Sequence, residues 1–187
     1  MAQTTHAFSD WHSSFDVRLI LDRIKGTLTF QRATVTSIAS DRNATLEAAL
    51  VVVAVGLAST IGLREGVLSM LAASLIGWIG LSGVIWFIAE RFLGTPTSYE
   101  SVQPLLRTVG YAQAPAALVI IHFIWGLGPV VGFVGFAWSF AATIFAVHHT
   151  TGFGWLRSTA LTVTGGIAVS ILGFILSVIT GIDPQIW

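Results

Sequence analysis

The chain has 187 residues, of which 54% are apolar and only 10% charged, with zero formal net charge and no cysteine. A soluble domain carries about 25% charged residues, so an ordinary water-soluble all-α domain is set aside at once. The missing cysteine removes disulfides and thiolate-held metals.

The first ten residues, MAQTTHAFSD, are polar and end-of-chain, and are expected to be disordered. No signal peptide is expected, because the first long apolar run begins only after some forty-five polar or mixed residues. In FDVRLILDRIKGTL, residues Val17, Ile20, Leu21, Ile24 and Leu28 recur at helical spacing. They form one apolar stripe of an amphipathic helix over about 15–29. Arg18, Asp22, Arg23 and Lys25 fall away from that stripe. Such a helix lies in the headgroup layer or packs its stripe on the bundle; the remaining reading is a site for a partner protein. Asn43 is expected to cap the following helix, with Glu47 favoured in its opening turn by the helix dipole.

From there the chain is a series of apolar runs. Ala48–Leu63, Val67–Ala89 and Ser158–Gly181 are uncharged, and no Asp, Glu, Lys or Arg stands between Thr108 and Leu156. As one helix that last run would be about 70 Å long, against a hydrocarbon core of about 30 Å. It must reverse, and GLGP at Gly126–Pro129 is the natural turn. Five spans result, at roughly 46–63, 67–91, 106–126, 129–149 and 158–181. The organisation expected is a cytoplasmic segment over 1–42, a five-span membrane domain over 43–182, and a short outer tail over 183–187. The fold class is an all-α integral membrane protein, a bundle of five transmembrane helices preceded by a cytoplasmic amphipathic helix.

Orientation follows from the basic residues, which favour the cytoplasmic side. Eight of the nine Lys and Arg residues fall on the side of the N-terminus, and Arg64 alone falls on the other. The N-terminus is therefore expected inside and the C-terminal GIDPQIW outside, with Trp187 near the outer interface.

Chemistry is sparse. His148 and His149 are adjacent, so on a helix they diverge by about 100° and cannot share a metal as an i, i+4 pair can; they read as interfacial residues. His122 lies well inside the third span, where an ionisable group is a functional candidate. Its plainer role is a neutral imidazole bonded to a neighbouring helix. Glu90 and Arg91 end the second span and can reach headgroups. With no nucleophile–base spacing, phosphate loop or metal signature, the chain is expected to be non-enzymatic and to hold no metal or cofactor. Glycines are plentiful: Gly77, Gly80 and Gly83 in the second span, Gly128, Gly132 and Gly135 in the fourth, and Gly166, Ser170 and Gly173 in the fifth. They are read as faces for close helix packing, within the bundle or between copies.

The stretch RTVGYAQAP, with Arg107, Gly110, Tyr111, Ala112 and Pro115, resembles the signature that introduces the third span in the Yip family. These are five-span membrane proteins whose eukaryotic members interact with Rab-type GTPases. DRIKGTLTFQRATVTSIASDRNAT is similar to the lead-in of the family's bacterial branch, apart from the absence of a proline near Gln31. WSFAATIFAVHHTTGFGWLRSTAL resembles its fourth span, inner loop and fifth-span start. The likeness covers about residues 17–180. It implies a five-helix bundle, an inside N-terminus, a bacterial cell membrane, and a role in membrane organisation, scaffolding or partner recruitment. The Rab-type GTPase partner is not carried over to this chain. Expected partners are the bilayer and either further copies or a larger membrane complex; no nucleic acid is expected.

In physical terms Arg107 is placed to reach lipid phosphates, Tyr111 sits about one turn deeper at headgroup level, Gly110 makes room for a neighbour, and Pro115 kinks the helix. The alternatives are a small-solute or ion transporter or channel with His122, Gln113 and Tyr111 along its path, and an accessory subunit held by the glycine faces.

Overall fold

The structure is a computed structural model that describes residues 16–94, 101–123 and 127–180. The N-terminal decapeptide, the tail GIDPQIW and Gly126 of the GLGP turn lie outside the described residues. Helix α1 runs over Val17–Leu28 and α2 over Arg32–Ser40. The spans follow as α3 (Ala44–Leu63), α4 (Val67–Ile88, extended by a π-helical turn over Ala89–Leu93), α5 (Gln103–Ala112), α6 (Gly128–Thr151) and α7 (Trp155–Thr180). Five helical segments are long and apolar enough to cross a membrane, and no strand occurs among the described residues.

The third span changes its winding partway. It is α-helical to Ala112 and continues as a 3₁₀-helix over Ala114–Phe123. Pro115 has no amide hydrogen to give the carbonyl of Tyr111, so the α-ladder is broken there. The amides on either side shorten their reach instead: Gln113 donates to Gly110 O at 3.2 Å and Ala116 to Gln113 O at 2.9 Å. The expected kink is thus a change of helix type. Because a 3₁₀-helix rises about 2.0 Å per residue against 1.5 Å, the segment covers the depth with fewer residues. This span is the hub of the bundle, wedged between α3 and α6 along its 3₁₀ half and meeting α2, α3, α4 and α6 along its α half.

The tightest burial is at the charged end, where Ile38, Ala44, Ala48, Val52, Val109, Tyr111 and Val147 are almost wholly enclosed. α1 and α2 lie across that end. Gly26 lets them meet, since a Cβ there would stand 2.2 Å from Thr34 Oγ1. Between them Phe30 adopts a left-handed φ of 55°, and the Gln31 amide donates to Gly26 O at 2.8 Å. A proline at 31 could not make that bond.

The amphipathic helix differs from its expected face. Ile20 and Ile24 pack on the core, but Val17 and Leu21 are exposed at 59% and 58%, while Arg23 and Thr27 are buried. The packed face is rotated toward Arg23, because that side chain finds carboxylate partners below it. Capping also differs. Asn43 makes no side-chain cap; Asp41 Oδ1 instead accepts the Asn43 amide at 2.9 Å, and Asp41 O accepts that of Ala44 at 3.1 Å.

Replacing Ile20 and Ile24 together by Asp should detach α1, since two desolvated carboxylates cannot stay against the core. Limited proteolysis in mild detergent is expected to cut within 16–40 in this variant and to spare the wild type.

Candidate functional site at the charged end of the bundle

The signature stretch runs from α5 into the 3₁₀ segment, and α5 is buried from Leu105 to Ala112 apart from half-buried Leu106. Arg107 does not reach outward. It is only 6% exposed, and its guanidinium donates to Thr45 Oγ1 at 2.8 Å, Ala39 O at 2.9 Å and Gln103 Oε1 at 2.8 Å. The expected contact with lipid phosphate is replaced by a clamp on the α2–α3 connection. The reason is geometric: the planar fork of arginine matches several fixed oxygens at once, and α2 lies over its path.

Tyr111, expected at headgroup level, is fully enclosed. Its hydroxyl donates to Glu47 Oε2 at 2.5 Å. The same oxygen accepts from Arg23 Nη1, and Arg23 Nη2 donates to Asp41 Oδ2 at 2.5 Å. One cation from α1 therefore bridges two carboxylates, one at the start of α3 and one just before it. Burial works against the charge on Arg23, but the hydrogen bonds to Asp41 and Glu47 outweigh it and hold its pKa above the usual guanidinium value. Arg23 in turn holds the Asp41 carboxyl below the usual carboxylate range.

Gly110 sits where a Cβ would stand 2.7 Å from Ala48 Cβ and 3.0 Å from Trp78 Nε1. Trp78 is itself fixed by donating to Leu106 O at 2.8 Å. One turn along, Thr150 donates to Thr108 Oγ1 at 3.1 Å and links α6 to α5. Pro115 is buried in the 3₁₀ segment, where a Cβ on Gly135 would lie 2.9 Å from its carbonyl oxygen. Arg107, Gly110 and Tyr111 are thus joined in one packed corner, and Pro115 begins the adjoining contact with α6.

His122 is not part of this corner. It stands at the opposite end of the third span, half-buried, with Nδ1 closed off and no hydrogen-bond partner among the described residues. The expected bond from that nitrogen to a neighbouring helix is thus absent. Of the two neighbouring glycines of α6, Gly132 faces that nitrogen, and Gly128 faces the His122 backbone. Gln113 lies on the wall of a cavity of about 600 Å³ to which all five spans contribute, and on that of a smaller one of about 210 Å³ against the first and second spans. His148 and His149 close the charged end of α6. His148 Nδ1 pairs with Phe153 O at 2.5 Å, its ring stacks on Trp155 at 4.1 Å, and His149 meets Phe145 edge-on at 4.4 Å.

Sequence reading missed Arg23, Asp41, Glu47 and Trp78 as members of the site. A signal was present for one of them: Glu47 is a carboxylate inside an otherwise apolar first span, whereas Arg23 reads as one of several charges off the apolar stripe of α1. Neither position says that the two meet.

Three consequences can be measured. Gly110→Leu should cost about 3 kcal/mol, the upper end for overpacking, whereas Pro115→Ala should cost about 1 kcal/mol or less; tryptophan-monitored unfolding in detergent separates them. Removing one partner of the buried pair, as in Glu47→Leu, should destabilise by about 3–5 kcal/mol, and Arg23→Met combined with it should recover much of that loss. The Asp41 contribution is present above its unfolded pKa of 3.8 and is lost as pH falls through its lower folded value. Acid should therefore loosen α1 only below that range, and pepsin cleavage of the segment should lose this part of its pH dependence in Asp41→Asn.

A family model for the Yip1 domain matches residues 25–178. Neither a curated relative nor a solved structure matches the chain. The matched region begins within α1 and runs through all five spans, taking in Glu47, Arg107, Gly110 and Tyr111. This chain is an integral, multi-pass membrane protein that belongs to the Yip1 domain family.

Proposed function

We propose that the protein is a non-enzymatic membrane scaffold, which organises the bilayer or recruits partners through a rigid cap at its charged end. The observation that supports this most is the closure of the signature corner. Arg107 and Tyr111 bond to Ala39, Thr45, Gln103 and Glu47, and through these bonds and those of Arg23 the corner fixes α1 and α2 to the bundle. What the cap presents outward includes apolar and basic side chains, with the exposed carboxylates Asp16 and Asp22 among them. Val17, Leu21, Phe30, Trp155 and Leu156 are exposed, alongside exposed Arg18, Arg32 and Arg157. Aromatic rings suit the headgroup layer, and basic side chains suit anionic lipid.

In this reading the charged end is cytoplasmic, because it gathers eight of the nine Lys and Arg residues, and the membrane is a bacterial cell membrane, as the lead-in resemblance implies. The partners are the bilayer, further copies of the chain, or a larger membrane complex. A transporter is the second reading, favoured by Gln113 on its cavity wall. Against it, Tyr111 is engaged with Glu47, and His122 is not among the residues lining that cavity.

Reporter fusions at the two termini should report opposite sides, with the N-terminus inside. Purification in mild detergent should retain partner proteins or an oligomer, and His122→Phe should leave that assembly intact. Reconstituted vesicles should show no proton or solute flux. A wild-type flux that His122→Phe abolishes, with assembly unchanged, overturns the scaffold reading.

A further inference from the structure

The cavity beside Gln113 has a composition and position that the scaffold role does not use. It lies between α6 and α7, is floored by Ser59 of α3, Leu81 of α4 and Ala116 of the 3₁₀ segment, and measures about 600 Å³. That is within the range of about 300–1,000 Å³ typical of small-molecule sites. Gln113 is ten residues past the start of α5, about 15 Å along the span. It lies two residues inward of Tyr111, on the bilayer side of the charged corner.

Small residues hollow the cleft. A Cβ on Gly166 would meet nothing within 4 Å, and one on Gly132 would meet only the His122 ring, at 3.4 Å. Gly166, expected to bring helix backbones together, faces open space instead, whereas Gly132 packs on the His122 ring. The cleft opens sideways to the bilayer, since Phe136 and Ile167 both line it and are exposed at 67% and 57%.

Its polar groups are all neutral. Thr143 and Thr162 donate to the carbonyls of Ser139 and Ser158 at 2.8 Å and 2.9 Å, so their hydroxyl protons are already engaged. The Gln113 side-chain amide makes no hydrogen bond among the described residues and offers both donors and an acceptor. No Asp, Glu, Lys, Arg or His is among the lining residues. A charged ligand would find no counter-charge at a depth where charge is costly. A wholly apolar chain would leave the Gln113 amide without a partner.

We propose that this cleft binds a neutral single-chain amphiphile drawn from the bilayer. Its chain lies between α6 and α7, and its hydroxyl or carbonyl group pairs with the Gln113 amide. The inference stands apart from the scaffold reading and requires no transport.

The test uses the full chain in phosphatidylcholine vesicles with two photoreactive probes of equal length, a diazirine-bearing fatty alcohol and the matching alkane. The alcohol should label the cleft-facing residues of α6 and α7, and unlabelled alcohol should compete. Gly166→Leu, which extends a side chain into open space, should cut that labelling about tenfold. Gln113→Leu should reduce alcohol labelling about tenfold, the effect of one buried hydrogen bond, and leave alkane labelling unchanged. Protease resistance of α1 shows that each variant is folded, and competition by unlabelled alcohol decides the matter in the wild type without any variant. Labelling spread over the lipid-facing surface, absence of competition, or equal loss of both probes in Gln113→Leu overturns the proposal.

Discussion

A single carboxylate oxygen, Glu47 Oε2, accepts hydrogen bonds from both Arg23 and Tyr111, and the charged end of the protein is arranged around it. Glu47 occupies the first turn of a membrane-spanning helix and is only 3% exposed. An isolated buried carboxylate would be strongly disfavoured. A guanidinium from the lead-in helix and a phenol from the third span make the position tenable. The consequence is mechanical as much as electrostatic: α1, α3 and α5 cannot move independently without breaking a desolvated bond. Asp41 adds a second tether for the same cation.

The neighbouring Arg107 solves a different problem. It holds the α2–α3 connection through neutral oxygens of Ala39, Thr45 and Gln103, so its role is to satisfy backbone and side-chain acceptors at a helix junction. The two arginines therefore divide the work. Arg23 neutralises charge within the bundle, and Arg107 fixes the path of the chain into it. Gly110 completes the corner by letting α3 and Trp78 of α4 approach α5.

Beyond the corner the third span is set by Pro115. Ending the α-ladder there turns the remaining residues into a 3₁₀-helix that α3 and α6 grip closely. A Cβ at Gly62 would stand 2.0 Å from Val119 O, so that grip depends on a bare backbone in α3. Three residues of this span that one path would have needed together stand apart. Tyr111 is held in the charged corner, Gln113 faces the lateral cleft, and His122 stands beside Gly128 and Gly132 at the far end.

The sequence by itself determined the five spans, the amphipathic lead-in and the family, because apolar run length, helical periodicity and motif order are local properties of the chain. It also marked Arg107, Gly110, Tyr111 and Pro115 as belonging together. It did not determine what those residues touch. Arg23 and Glu47 are 24 residues apart, and Glu47 and Tyr111 are 64 apart, so neither pairing carries a spacing signal. In isolation an arginine or tyrosine near the end of a span reads as a headgroup contact; it becomes a buried clamp only once α1 and α2 fold over the bundle end. The glycines show the same limit. A small residue permits both close packing and open space, and tertiary structure alone decided that Gly110 packs and Gly166 leaves a cleft, because the outcome depends on which helix lies opposite.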